Sequence, residues 1–89
     1  MLRIKILGPG CRKCNLLEQR AAAALEDLLE ENPELEATLE HVEDPLEMQK
    51  YPILFLPGLV VNERLVCGGR LPSEHKVIAW LRAALQQPA

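Results

Sequence analysis

Cys11 and Cys14 stand three residues apart where an apolar run, Leu2 to Leu7, gives way to a long helix-forming segment, and that junction constrains the chain more than any other feature. The run ends at Gly8-Pro9-Gly10, so it reads as a short buried strand followed by a sharp loop. From about Arg12 to Glu31 the residues are strong helix formers. Leu17, Ala21, Ala24, Leu25 and Leu28 recur at three- and four-residue spacing until Asn32-Pro33 stops them. A strand that hands over to a helix through a cysteine pair places that pair beyond the carboxyl end of the strand, where sites in open α/β sheets lie.

The remaining segments complete an α/β pattern. Leu35, Ala37, Leu39 and His41 alternate with Glu36, Thr38, Glu40 and Val42, as in a strand near a sheet edge. Asp44-Pro45-Leu46-Glu47 combines an N-cap acid, proline at the first helical position and glutamate three residues after the cap, so a short helix is expected to about Tyr51. Gly58 to Val61 and Leu65 to Gly68 read as two strands joined across Asn62-Glu63-Arg64. Ser73 caps a last helix whose apolar positions Val77, Ile78, Leu81, Ala84 and Leu85 share a face, and Pro88 marks its end. The order β-α-β-α-β-β-α predicts one domain over residues 1–89, with a mixed four-stranded sheet flanked by three helices. The first two strands are expected to be parallel and the last two to form an antiparallel hairpin.

Composition narrows the function. Hydrophobic residues make up 48% and charged residues 26% of the 89, the balance of a globular domain. A net charge of -3, with no basic cluster longer than Arg12-Lys13, offers a phosphate backbone little attraction, so nucleic acid is not the expected partner. Arg3 and Lys5 interrupt the N-terminal apolar run, which is too short for a signal segment or a membrane span; the expected location is the cytoplasm and no membrane partner is expected. Three cysteines are an odd count for a disulfide framework, and in a reducing compartment a close pair points to redox chemistry or metal binding.

The spacing suits thiol-disulfide exchange. Cysteines three apart share one face of a first helical turn and can close a disulfide with little backbone movement. At the helix N-terminus the partial positive charge and unpaired N–H groups favour a thiolate at Cys11, and Arg12, Lys13 and Lys5 add positive potential. Cys11 is therefore the expected attacking thiol, and Cys14, one turn inward and more buried, the resolving one. A metal site and a coincidental pair stay open on the residues alone.

The motif, the element order and a distant proline together resemble the thioredoxin and glutaredoxin superfamily. Within it, the opening Ile4-Lys5-Ile6-Leu7-Gly8-Pro9-Gly10-Cys11-Arg12-Lys13-Cys14 looks like the small redox-active disulfide proteins. The likeness implies a thioredoxin-like fold, disulfide oxidoreductase activity and no bound organic cofactor or metal. The expected partners are a protein or small-molecule disulfide substrate and a dithiol partner or dedicated reductase as electron source, with the chain a monomer or weak homodimer. The likeness also implies that Pro57, in Tyr51-Pro52-Ile53-Leu54-Phe55-Leu56-Pro57, is the cis-proline facing the disulfide. The Leu56 backbone would then pair with an extended substrate segment, with Gly68 and Gly69 leaving room for it. Two departures stand out. Lys5 occupies the position, six residues before the first cysteine, where many thioredoxins carry a buried acid, and Arg70-Leu71-Pro72-Ser73 lacks the acidic pair glutaredoxins use for glutathione.

Two further function classes compete. Cys11, Cys14 and Cys67, with His75, could compose a zinc or soft-metal site, although only one close ligand pair exists. A redox-inactive interaction module that binds proteins through the Pro57 edge is the third. Cys67 reads first as a small buried residue, His41 as an exposed or strand-edge side chain, and the acids from Glu26 to Glu40 as a solvated face. Ile53 to Leu56 reads first as core, but with Pro57 placed as the resemblance implies, part of it flanks the site as an apolar rim suited to a protein partner or a homodimer.

Overall fold

The computed structural model describes residues 1–10 and 12–86; Cys11 and Pro88 lie outside the described residues. The elements are β1 (Leu2–Leu7), α1 (Arg12–Glu31), β2 (Ala37–Val42), α2 (Pro45–Met48), β3 (Gly58–Val61), β4 (Arg64–Gly68) and α3 (Glu74–Gln86). They form one four-stranded sheet in the order β2-β1-β3-β4. β1 runs parallel to β2, while β1 with β3 and β3 with β4 are antiparallel. The chain thus has the mixed sheet and three helices expected of a thioredoxin-like fold.

Local chemistry sets the boundaries. Asp44 caps α2 through Oδ1, which accepts from the Leu46 N–H at 3.0 Å, and Pro45 occupies the first turn. α2 is shorter than expected, ending at Met48, and turn bonds carry the chain on to Tyr51. Ser73 caps α3, its Oγ accepting from the Lys76 N–H at 3.2 Å. The hairpin between β3 and β4 turns on two residues, Asn62 and Glu63, with φ of 50° and 67°, so β4 begins at Arg64 rather than Leu65. Positive φ at both central positions matches the strand twist of a tight hairpin, and asparagine tolerates it better than glutamate. Asn62 is further held by Arg3, each residue's N–H donating to an oxygen of the other at 2.8 Å.

β1 sends buried side chains to both faces of the sheet, although Arg3 on the second face is exposed. Leu2, Ile4 and Ile6 pack with Leu17, Ala21, Ala24 and Leu28 of α1 and with Val77 and Leu81 of α3. Leu7 joins Val42, Met48, Tyr51 and Val60 on the other face. Residues such as Leu17 are fully buried, and truncation to alanine there costs about 2–5 kcal/mol. With helices on both faces, the loops at the carboxyl end of β1 are left at the rim, where α1 starts.

Candidate functional site

The site is organised by Gly8, the residue after β1. Its N–H donates to the Val42 carbonyl at 3.0 Å, continuing the parallel ladder by one residue. A Cβ built on Gly8 would overlap the Cys14 sulfur and would lie 3.9 Å from the Pro57 Cα. Glycine therefore lets the end of β1, the first turn of α1 and the lead into β3 meet at one point without displacing the sulfur. Cys14 is fully buried there. Gly10, at φ 85°, turns the loop into α1, and Asn15 Nδ2 reaches the Gly10 carbonyl at 3.5 Å.

Arg12 and Lys13 open α1 and are exposed, and the first turn of α1 carries no acid. Two cations at the positive end of a helix cost it stability, about 0.3–1 kcal/mol each at an exposed site, unless an anion sits beside them. Lys5 is placed differently from the expectation that it would add potential at the cysteines. Its Nζ lies 3.0 Å from the Tyr51 hydroxyl and 3.0 Å from Glu63 Oε1, and Tyr51 donates its hydroxyl to Glu63 Oε2 at 2.8 Å. The bond to Tyr51, then the one to Glu63, pushes the Lys5 ammonium pKa up. Lys5, and to a lesser degree Tyr51, holds the Glu63 carboxyl below its ordinary value. The charge of Lys5 is offset inside this triad.

The Leu56–Pro57 peptide bond is cis and Pro57 is buried. The Pro57 carbonyl accepts from the Gly69 N–H at 2.8 Å, and Gly68 pairs with Gly58 across the β3–β4 ladder. These contacts tie Leu56, Pro57, Gly68 and Gly69 into one edge. A Cβ on Gly69, at φ 74°, would overlap the Phe55 side chain, so glycine there lets Phe55 lie against it, whereas one on Gly68 would make ordinary contact with the Phe55 carbonyl at 3.4 Å.

The apolar run before Pro57 is not core. Leu54, Phe55 and Leu56 are 88%, 71% and 43% exposed, and only Ile53 packs inward. Pro52 and Pro57 bracket the run, and no sheet ladder includes it. An exposed apolar ridge therefore stands beside the point where Gly8, Cys14 and Pro57 converge.

Cys67 is half-buried, packs against the α1–α3 side of the core, and lines a separate cleft of about 600 Å³ with Arg70, Lys76 and Trp80. A bulge that inserts Val66 between the paired residues Leu65 and Cys67 accounts for its direction. His75 is exposed on α3. Among the described residues, no three of His, Cys, Asp and Glu come together as a metal ion would need, and no helix is long and apolar enough to cross a membrane.

His41 is the residue the sequence undervalued. It is half-buried on β2, its Nε2 is 3.1 Å from the Gly8 carbonyl, and its Nδ1 is 3.6 Å from Glu18 Oε1 on α1. Its alternation with polar neighbours gave only a strand position.

A family model described as a thioredoxin domain matches residues 2–82. The thioredoxin of Methanothermobacter thermautotrophicus is 30% identical over 77 residues, spanning 86% of this chain and 94% of that protein. The thioredoxin of Methanocaldococcus jannaschii is 28% identical over 86 residues, spanning 97% of this chain and 93% of that protein.

Proposed function

The chain belongs to the thioredoxin-domain family, and on that premise we propose that it is a thiol-disulfide oxidoreductase with Cys11 as the attacking thiol and Cys14 as the resolving one. The observation that carries this reading is the burial of Cys14 against Gly8, which also neighbours Pro57, at the start of α1 beside exposed Arg12 and Lys13. A cation pair at the wrong end of a helix is a cost that a thiolate at Cys11 would offset.

The exchange balances in two steps. The Cys11 thiolate attacks one sulfur of a substrate disulfide, forming a mixed disulfide, and the other substrate sulfur leaves as a thiolate and takes up a proton. The Cys14 thiolate then attacks the Cys11 sulfur, closes the Cys11–Cys14 disulfide and expels the second substrate sulfur. The substrate gains two electrons and the protein loses them; an external dithiol reductase restores the pair. No organic cofactor or metal enters either step.

Leu54, Phe55 and Leu56 give the substrate an apolar contact surface, which favours a protein disulfide over a small polar one. The backbone of Leu56 and the edge at Pro57, Gly68 and Gly69 would align an extended segment beside the cysteines. A reducing cytoplasm suits this chemistry. The test is to mix Cys14→Ser protein with a small disulfide-bonded protein and look for the trapped adduct. A stable mixed disulfide at Cys11 is expected; adducts only at Cys67, or none, would overturn the assignment.

A further inference from the structure

We propose that His41 is a positioning residue for the resolving step, fastening the Gly8 turn so that the Cys14 sulfur keeps the rotamer that Gly8 imposes. The inference rests on the reading of Cys14 as the resolving thiol. The geometry is a short chain of contacts between three elements. The Gly8 carbonyl can only accept, so His41 Nε2 carries a proton and donates to it across 3.1 Å. The other ring nitrogen faces Glu18 Oε1 at 3.6 Å, from the α1 turn that follows Cys14. His41 thus joins β2, the turn after β1 and the helix that bears the cysteine.

The consequence falls on Cys14 because Gly8 is its wall. With no room for even one carbon between Gly8 and the Cys14 sulfur, the position of residue 8 sets which side-chain rotamers Cys14 can occupy. The Gly8 N–H is already held by Val42, and the His41 ring holds its carbonyl, so the two peptide planes that flank the Gly8 Cα are each anchored. Releasing the carbonyl lets the turn move and gives the sulfur space to take up other rotamers. Even a small displacement of a reacting sulfur lowers an exchange rate without removing any reacting group. Attack by Cys11 on the substrate does not use the Cys14 rotamer, so it should be spared.

The experiment separates the two steps in reduced protein, using a fluorogenic peptide disulfide as probe. Attack is measured in a Cys14→Ser background, and resolution as decay of the mixed disulfide with Cys14 intact. In His41→Leu, which keeps bulk and loses the donor, decay should slow about tenfold while attack stays within about twofold. His41→Gln can place an N–H near the same carbonyl and should recover most of the decay rate. Unchanged decay in His41→Leu, equal slowing of both steps, or His41→Gln as slow as His41→Leu would overturn the proposal. A wild-type mixed disulfide that never decays would instead overturn the role of Cys14, and this inference with it.

Discussion

Gly8 and Cys14 touch so closely that residue 8 can carry no side chain without moving the sulfur. Because that sulfur is the tip of a rotatable side chain, Gly8→Ala should fold, at a cost of about 1–3 kcal/mol for overpacking. Its loss of disulfide exchange should exceed what that stability loss explains. Urea denaturation followed by an exchange assay at a concentration where the variant is fully folded checks this; full activity in the folded variant would contradict it.

The Lys5, Tyr51 and Glu63 triad holds the tight hairpin turn against β1. Tyr51→Phe removes a hydroxyl that both accepts from Lys5 and donates to Glu63, and should cost about 1 kcal/mol. Glu63 has its carboxyl pKa lowered by folding, so its contribution is complete above the ordinary carboxylate value and is lost as pH falls through the lowered one. Its side chain is 56% exposed, which keeps the ion pair within about 0–1 kcal/mol. Denaturation of Glu63→Gln across pH should therefore show a deficit at neutral pH that narrows as the solution is acidified.

Phe55→Ser tests the apolar ridge. The Phe55 side chain contacts Gly69 but is 71% exposed, so stability should fall by less than about 1 kcal/mol. KM for a protein disulfide should rise several-fold, whereas the rate with a small soluble disulfide should hardly change. Equal effects on both substrates would remove the ridge from substrate binding.

Replacing Arg12 and Lys13 with glutamine should slow alkylation of Cys11 near pH 7, because it withdraws positive potential from the helix N-terminus. Both side chains are exposed, so the difference from wild type should shrink as salt is added. Mass spectrometry after brief substoichiometric labelling should find Cys11 modified first; dominant labelling of Cys14 would reverse the proposed roles.

The fold was legible because each element carries its own signal: the periodic apolar positions of α1, the Asp44-Pro45 start of α2, the Ser73 cap of α3. The turn at Asn62-Glu63 was blurred because glutamate at positive φ has no composition signature, and a triad spread over residues 5, 51 and 63 supports it. The run from Ile53 to Leu56 reads first as core because hydrophobicity alone does not say which side of a proline-bracketed loop faces water; only the position of Pro57 points to the exposed rim that Leu54 to Leu56 form. Lys5 looked like a neighbour of the cysteines because sequence distance ignores which sheet face a strand residue takes. Gly8 could have been flagged, since glycine at a strand end beside a cysteine pair signals close approach. His41 carried no such signal, for its partners come from two other elements.

The reversible Cys11–Cys14 couple is the central claim, and redox titration of the purified protein in glutathione buffers, with zinc assayed in the same sample, tests it most directly. The account predicts a single two-electron transition, abolished in Cys11→Ser and in Cys14→Ser and retained in Cys67→Ser, with no stoichiometric zinc. Stoichiometric zinc without a reversible disulfide would contradict it.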